Sequence, residues 1–169
     1  MDCAASSTRR ALAKNLARAL ALSGRPRRHV AEVAGCPADV LFDILAGRVP
    51  IGLDRLDRLA AAVGWPAWSL LDDIDAPPPL ARPAPHPVAG TEIPSVATLK
   101  CRTQSLLLAR EWNVQMLVER TDLGKPQIHT ILAGHSGTSV DAVARLAAAF
   151  EVAPKAMLVP HVGDRDDVA

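Results

Sequence analysis

The 169-residue sequence contains the fragment Ile-Leu-Ala-Gly twice, at 44–47 and at 131–134, and each is followed at the same distance by Arg-Leu-Ala-Ala-Ala. Both pairs are 87 residues apart, and residues 12–71 align with residues 99–158 at this offset without a gap. Of the 60 aligned positions 14 are identical, and 10 of these fall within residues 44–62. Such clustering indicates an internal duplication, which constrains the architecture more than any single motif. We call residues 12–71 the first copy and residues 99–158 the second copy.

A proline-rich segment separates the two copies, since seven of the 14 prolines lie within residues 72–98. Proline lacks the amide donor and fixes φ, so this segment cannot propagate a helix or a central strand. We predict a semi-rigid linker, and a ligand for a proline-binding groove is the alternative. The predicted organisation is an N-terminal domain at 1–71, a linker at 72–96, a C-terminal domain at 97–160 and a disordered tail at 161–169.

Apolar residues recur every three or four positions in both copies, which is the period of amphipathic helices. In the first copy this pattern predicts helices that end at Gly24 and at Gly47, with Pro26 and Pro37 opening the second and third helices. The second copy repeats the plan, with Asn113 as the N-cap of its second helix. No strand signal of comparable strength occurs. The predicted fold class is therefore all-α.

The residue types argue against an enzyme and against a membrane protein. The sequence has no nucleophile with a base partner, no glycine-rich phosphate loop and no metal-spaced cluster of His or Cys, so we predict no catalytic residues, no metal and no cofactor. His129 and His135 are separated by Gly134, which breaks the helical spacing of metal ligands. The longest apolar stretch, residues 59–71, is too short to span a bilayer.

The three cysteines, Cys3, Cys36 and Cys101, are widely spaced and form no Cys-x-x-Cys pair. This usage is typical of reduced, mostly buried thiols in a cytoplasmic protein. The first residues do not resemble a signal peptide. Cysteine usage and the N-terminal residues therefore both predict a cytoplasmic location.

The charge is close to balanced but unevenly distributed. Residues 1–71 carry ten Lys or Arg against six Asp or Glu, whereas residues 99–169 carry eight of each. Non-specific affinity for nucleic acid grows with the number of phosphates that are neutralised. The near-neutral total therefore argues against strong non-specific binding, and the first copy is the more basic one.

A family resemblance is carried by two short helices joined by a tight turn. Small Ala31 and Gly35 mark the turn, and Ile44 and Gly47 close the next helix; this arrangement resembles the helix-turn-helix core of the Cro and phage-repressor (XRE-type) family. The following Leu-x-x-Leu-Ala-Ala-Ala and Trp-Ser-Leu-Leu segments are similar to that family's fourth and fifth helices. The resemblance covers about 120 residues. It implies two tandem five-helix, lambda-repressor-like domains and a sequence-specific, DNA-binding transcriptional regulator of the repressor type.

In that family the helix that ends at the glycine lies in the major groove, and its first side chains reach base edges. Lysine can donate to guanine, and glutamine can pair with adenine through two hydrogen bonds. The alternative is an ordinary solvated helix face. The resemblance implies base reading in the second copy by Lys125, Gln127, His129 and Thr130. It implies contacts to the DNA backbone there by Asn113, Gln115, His135 and Ser136.

The first copy differs at the equivalent positions. Asp39 and Asp43 would face the phosphates, so we do not expect base reading by this copy. Arg25, Arg27 and Arg28 lie at the start of its second helix, where family members approach the sugar-phosphate backbone. The resemblance thus implies a division of labour. The second copy specifies the sequence, and the first supplies backbone contacts or a dimerisation surface.

A second interpretation is a protein-interaction module of helix-turn-helix descent, antitoxin-like or a phage partner protein, with little DNA binding. The near-neutral charge and the carboxylates of the first copy favour it. Trp65 and Trp68 fit it as interface residues, although both also suit a small core. Under the leading interpretation the partners are double-stranded DNA and a second chain in a homodimer, although a tandem chain can imitate a dimer by itself. We then expect a bacterial or phage-encoded protein that associates with the nucleoid when bound.

Overall fold

The computed structural model describes residues 3–72 and 94–160, which we call the N-terminal half and the C-terminal half. Within these ranges the regular structure is helical and no strand occurs, which confirms the all-α prediction for the described residues. The N-terminal half contains α1 (Cys3–Ser23), α2 (Arg27–Val33), α3 (Ala38–Leu45), α4 (Leu53–Val63) and a closing 3-10 turn (Ala67–Leu71). The C-terminal half contains α5 (Pro94–Ala109), α6 (Val114–Thr121), α7 (Lys125–Ala133), α8 (Val140–Ala149) and a closing 3-10 turn (Pro154–Met157).

The backbone repeats with the same offset as the sequence. The first residues of α2, α3 and α4 precede those of α6, α7 and α8 by 87 positions, and the two closing turns begin 87 positions apart. Four left-handed backbone positions recur at that offset as well. They pair Gly24, Gly35, Gly47 and Gly64 with Glu111, Asp122, Gly134 and Glu151. The duplication therefore extends to local conformation at positions where the residues differ.

Most of the predicted helix ends are confirmed. Gly24 follows α1 with a φ of 63°, and Gly47 follows the C-cap of α3 with a φ of 67°, a conformation that glycine adopts without steric cost. Pro26 and Pro37 are the N-cap residues of α2 and α3. Asn113 caps α6 as predicted, because its side-chain oxygen accepts a hydrogen bond of 2.9 Å from the backbone N–H three residues later.

Parts of the predicted domain organisation lie outside the described residues. These parts are the tail at 161–169 and residues 73–93 of the linker. α5 begins at Pro94, inside the range 72–96 that the sequence assigns to the linker. Proline suits this position because the first helical amides have no intrahelical partner. Val96 is already buried, so the packed part of the C-terminal half starts earlier than proline content indicates.

The two halves share one continuous hydrophobic core. α1 packs against α8, α4 packs against α5, and the two closing turns contact each other. The cluster of buried side chains runs from Leu12 and Leu16 of α1 to Leu146 of α8 and to Phe150. A unit of about 60 residues buries a smaller fraction of its surface than a larger domain does. Burial between the halves therefore adds apolar contact that neither half has alone.

At the centre of this contact, the chain segments just before α4 and α8 pair in an antiparallel manner. The Leu53 N–H donates to the Thr138 carbonyl at 2.9 Å, and the Val140 N–H donates to the Ile51 carbonyl at 2.8 Å. Ile51 and Thr138 are 87 residues apart, and so are Leu53 and Val140, so exchanging the copies turns one bond into the other. We call this pairing, formed by residues 51–53 and 138–140, the central bridge.

Two polar contacts beside the central bridge also join the halves. Arg9 Nε of α1 donates to Asp141 Oδ1 of α8 at 2.9 Å, in a partly buried ion pair. The Asp57 carboxylate of α4 accepts a hydrogen bond of 3.1 Å from the backbone N–H of Ser95 and another from the Ser95 hydroxyl. These bonds hold the first turn of α5. Burial raises the pKa of Asp57, and the two bonds from Ser95 oppose that rise. These contacts fix the orientation of each first helix against the other half.

The cysteines fit the sequence-based expectation only in part. Cys36 is buried beside the turn between α2 and α3, and this burial raises the pKa of its thiol. Cys101 is exposed on α5, so the prediction of a buried thiol is wrong there. Among the described residues, no helix has the length and apolar character that crossing a bilayer requires.

Thr138, at the central bridge, provides a test of the shared core. It is 2% exposed, and its hydroxyl has no hydrogen-bond partner among the described residues. Leaving a buried hydroxyl unsatisfied costs about 1–3 kcal/mol. We therefore expect Thr138→Val to raise the free energy of unfolding by about 1 kcal/mol, measured by urea denaturation.

Thr121→Val is the matched control, because the Thr121 hydroxyl is equally buried but donates to the Leu117 carbonyl at 2.7 Å. This substitution should lower the free energy of unfolding by about 1 kcal/mol. Shifts of the same sign in both variants would contradict the assignment of Thr138 as an unsatisfied group.

Candidate nucleic-acid interface

The second copy holds α7 against α6 in a two-helix frame. Leu117 and Thr121 are the buried residues of α6, and Ile128 and Ile131 are those of α7. The two helices pack against each other. Asp122 ends α6 in the left-handed conformation with a φ of 52°. This turn lets the chain reverse within three residues before α7 begins. The frame fixes which side of α7 is left to solvent.

The four predicted base-reading residues lie on the solvent side of α7. Lys125, Gln127 and His129 are exposed, and Thr130 is half-buried. With 3.6 residues per turn and both Ile128 and Ile131 facing inward, His129 and Thr130 lie towards the middle of the outward face. Lys125 and Gln127 lie at its two edges. The Thr130 hydroxyl donates to the Pro126 carbonyl at 3.0 Å, which leaves its oxygen able to accept. The face offers donors and acceptors over the first two turns.

The residues of the second copy that were predicted to contact the DNA backbone lie around this face in different environments. His135 and Ser136 are exposed in the loop after α7. Asn113 is exposed, with its oxygen engaged as the cap of α6. Gln115 is exposed on α6, and its amide donates to the Glu119 carboxylate at 3.0 Å. Asn113 and Gln115 therefore already take part in local contacts, whereas the loop residues lie beside the C-terminal end of α7.

The equivalent face in the first copy has the opposite character. Asp39 is exposed on α3, and Phe42, which aligns with His129, is 58% exposed. Asp43, which aligns with Thr130, forms an ion pair of 3.4 Å with Arg48. The Arg48 guanidinium lies 5.9 Å from the centre of the Phe42 ring. Phe42 and Asp43 thus occupy the positions at which α7 carries His129 and Thr130, whereas Asp39 aligns with Pro126.

The three arginines predicted to contact the DNA backbone do not share one environment. Arg25 donates to the Ala62 carbonyl at 2.6 Å and thereby caps the C-terminal end of α4. Arg110 makes a similar bond, from a position that is not aligned with Arg25, to the Phe150 carbonyl at 2.6 Å in the C-terminal half. Arg27 and Arg28 are exposed on the first turn of α2 and make no hydrogen bond or ion pair among the described residues. The structure therefore gives Arg25 a role in the fold and leaves the other two facing solvent.

Basic residues on α1 form a surface that the sequence interpretation missed. Arg10 and Lys14 are exposed one helical turn apart, beside a shallow groove between α1 and the end of α3. Arg18 continues the same side of the helix. The aligned residues of α5, Ala97 and Cys101, carry no charge. The spacing of four residues between basic side chains was a usable signal, and we call Arg10, Lys14 and Arg18 the α1 basic ridge.

The tryptophans contribute to packing within each half. Trp65 is 6% exposed and Trp68 is half-buried against the core cluster. Trp112 is stacked on Phe150 with ring centres 5.3 Å apart, and the Arg120 guanidinium lies 4.4 Å from its ring centre. The core assignment of Trp65 is confirmed. Arg120 covers the outer face of Trp112, so little of this aromatic surface is left for a partner.

Among the described residues, no three His, Cys, Asp or Glu side chains come together around one point that could hold a metal ion. Comparison of the chain with family models, with curated proteins and with solved structures gives no match. The geometry of the α7 face, the α1 basic ridge and the two exposed arginines of α2 therefore carries the functional argument.

The different environments of Arg25 and Arg28 predict different effects on stability. Arg25→Ala removes a hydrogen bond to a helix-terminal carbonyl and should lower the free energy of unfolding by about 1 kcal/mol, discounted for its exposure. Arg28→Ala, the matched control, should change it by less than about 0.5 kcal/mol. Thermal and urea unfolding of both variants measure the difference. Equal effects would contradict a structural role that is specific to Arg25.

Proposed function

We propose that the chain is a sequence-specific, DNA-binding transcriptional regulator of the repressor type, whose C-terminal half reads bases through α7. The observation that carries the proposal is the exposed first turn of α7, which holds Lys125 and Gln127 at either edge of an outward face. The buried Ile128 and Ile131 support this face from behind. A helix presented in this way can enter the major groove and place its N-terminal side chains against base edges.

The position of Lys125 supports this function rather than a role in stability. It is the first residue of α7, and no acidic residue lies in that first turn. The helix macrodipole makes a cation at an N-terminus unfavourable by a few tenths of a kcal/mol. Residues that violate a local rule without an evident structural gain are expected at functional sites. A guanine edge would supply the acceptors that this ammonium lacks in the protein.

The N-terminal half is proposed to hold the duplex without reading it. Arg27 and Arg28 present two cations to solvent at the start of α2, and Arg10 and Lys14 present two more on α1. Cations of this kind bind phosphates and fix the orientation of a protein on the duplex without carrying sequence information. The carboxylates of Asp39 and Asp43 make base reading by α3 unfavourable. No chemical step is assigned to the chain.

The finer architecture belongs to the same proposal. We propose that the two halves are five-helix, lambda-repressor-like units in tandem, joined by the proline-rich linker, with each closing 3-10 turn standing for the fifth helix. The repeated helix starts and left-handed positions support this assignment. A regulator of this kind acts in the cytoplasm and associates with the nucleoid when bound.

The base-reading proposal predicts the effect of Lys125→Ala combined with Gln127→Ala. Each side chain can contribute about 1–3 kcal/mol of discrimination between bases, so the preference for a selected duplex over a random one should fall at least about tenfold. Random-sequence selection with the wild-type protein supplies the preferred duplex, and fluorescence anisotropy measures the affinities. Circular dichroism should be unchanged, because both residues are exposed.

Gln104→Ala is the matched control, since it removes an exposed glutamine from α5 and leaves α7 unchanged. This variant should keep the selectivity of the wild type. Equal loss in both variants would show that α7 is not the reading element. A wild-type protein without duplex affinity at low salt would overturn the proposed function as a whole.

A separate prediction concerns the phosphate contacts of α2. Arg27→Ala combined with Arg28→Ala should weaken binding to all duplexes alike and lower the slope of log affinity against log salt by up to about two. Arg27→Lys with Arg28→Lys keeps both charges and should preserve the slope. Loss of sequence preference with an unchanged slope would contradict a role of these arginines at the backbone.

A second candidate function, a protein-interaction module with little DNA binding, is favoured by one specific feature. Phe42 is a large apolar residue that is 58% exposed on α3, flanked by Asp39 and Asp43. An exposed aromatic ring among carboxylates suits a basic protein partner better than a phosphate backbone. The duplex assay separates the two candidates. Under the interaction function, the chain shows no duplex affinity and Lys125→Ala has no consequence.

A further inference from the structure

The contact between the halves has the form of a homodimer interface within one chain. In an interface with two-fold symmetry, residue i of one subunit contacts residue j of the other and residue j contacts residue i. The central bridge obeys this rule, since its two hydrogen bonds, Leu53 to Thr138 and Val140 to Ile51, are exchanged when the copies are exchanged. The bridge therefore defines a local two-fold axis that passes between Gly52 and Ser139.

The surrounding helices follow the same axis. α1 packs against α8, and their equivalents α5 and α4 pack against each other. The two closing turns, which are equivalent to each other, are also in contact. The pairing is therefore reciprocal from the bridge outwards. Ile51 and its counterpart Thr138 are both 2% exposed, so these surfaces are already covered in the single chain.

This axis relates the two helices that correspond to reading helices. α3 ends at Leu45 and α7 ends at Ala133, and each leads within a few residues into the central bridge. A two-fold rotation does not change the angle between a vector and the rotation axis. Under this local two-fold relation, the outward faces of α3 and α7 therefore make the same angle with the axis. Two-fold dimers of helix-turn-helix proteins present their two reading helices to duplex DNA in this way.

The two faces differ in chemistry, which breaks the symmetry of any ligand they share. α7 carries Lys125 and His129. α3 carries Phe42 at the position of His129, and it carries Asp39 one residue after the position of Lys125. The α1 basic ridge exists only in the N-terminal half. One half is equipped to read bases, and the other is equipped to hold phosphates beside an acidic helix.

We infer that the chain is a one-chain dimer, which binds a duplex as a single molecule and contacts one specified half-site and one unspecified half-site. This inference rests on the proposed function, and it names the class of target: an asymmetric duplex site with base specificity on one side of the local two-fold axis. The homodimer that the family resemblance implies is not required, because the covered surface on each half is already occupied by the other half.

The first measurement is stoichiometry. The full chain of 17.9 kDa should sediment as a monomer when free and should bind its selected duplex one to one. Selection from random sequence should return one motif without an inverted repeat. A dimeric free protein, or two chains on one duplex, would overturn the inference while leaving the proposed function intact.

The second measurement restores the symmetry. The five substitutions Ala38→Lys, Asp39→Pro, Val40→Gln, Phe42→His and Asp43→Thr give α3 the residues of α7 and leave the buried Leu41 and Ile44 unchanged. This variant should select an inverted repeat of the wild-type motif, with the half-sites one helical turn or a multiple of it apart. It should bind that repeat at least about tenfold more tightly than it binds a single motif, because a second set of base contacts forms.

Asp39→Ala combined with Asp43→Ala is the control for charge. It removes the two carboxylates without adding base-reading groups, so it should bind every duplex more tightly and still select one motif. Ala38→Lys with Asp43→Thr changes only exposed or half-buried positions, and serves where the fivefold variant fails to fold. Its preference for the inverted repeat over the single motif should lie between those of the wild type and the fivefold variant.

The outcomes separate the two proposals. A folded symmetrised variant that still selects a single motif overturns the one-chain dimer, although the wild type reads DNA through α7. A wild type without any duplex affinity overturns the proposed function, and with it the asymmetric target. Selection of an inverted repeat by the symmetrised variant, together with one-to-one binding, supports the inference.

Discussion

The reciprocal pairing of the chain on either side of Gly52 and Ser139 is the constraint on which the rest of the structure depends. It lies immediately before α4 and α8, so the two backbone hydrogen bonds set where each of these helices begins relative to the other. α4 and α8 carry many of the fully buried residues of their halves, among them Leu56, Leu59 and Leu146. On either side of the central bridge, α1 and α5 each pack onto the opposite half, and the apolar stripes of four helices close over one core. Each half is small, and apolar burial within it alone would leave little stability after the loss of conformational entropy.

The divergence of the copies follows burial. Most positions that face the shared core kept their apolar character, because changing the volume of a packed side chain costs several kcal/mol. Ile44 and Ile131, for example, are identical and both 1% exposed. The pairs Leu16–Thr103 and Ile51–Thr138 are exceptions, since a buried hydroxyl replaces an aliphatic side chain in the second copy. Exposed positions had no such restriction. Phe42 on α3 and His129 on α7 occupy equivalent, solvent-facing positions and differ in residue type. The two copies thus share a scaffold and differ in the chemistry of their outer faces. Under the proposed function, this divergence is what makes the two half-sites unlike.

Sequence reasoning recovered what depends on local rules. The duplication, the helix ends at Gly24 and Gly47 and the cap at Asn113 follow from spacing and from backbone preferences, and the helical period indicates which residues of α7 face outward. It could not recover what depends on partners. The period shows that one side of α4 is buried but not that α5 covers part of it, so the shared core and the central bridge were not predicted. The sequence predicted Arg25 as a phosphate contact. Its bond to the Ala62 carbonyl joins residues 37 positions apart, so no local pattern reveals it. The α1 basic ridge was not predicted, although the four-residue spacing of Arg10, Lys14 and Arg18 is visible in the sequence.

The left-handed positions of the second copy link the shared core to the proposed reading helix. The first copy has glycine at all four repeated positions, whereas the second copy has Glu111, Asp122 and Glu151 at three of them. A non-glycine residue in this conformation costs about 1 kcal/mol, and an aspartate less than a glutamate. Local sequence therefore does not favour these turns in the second copy, and tertiary packing must hold them. Asp122 forms the turn before α7, and its carbonyl accepts a hydrogen bond of 3.4 Å from Arg145 of α8, the helix that packs against α1. Under the proposed function, the orientation of α7 for base reading is therefore held in part by a helix that also joins the two halves.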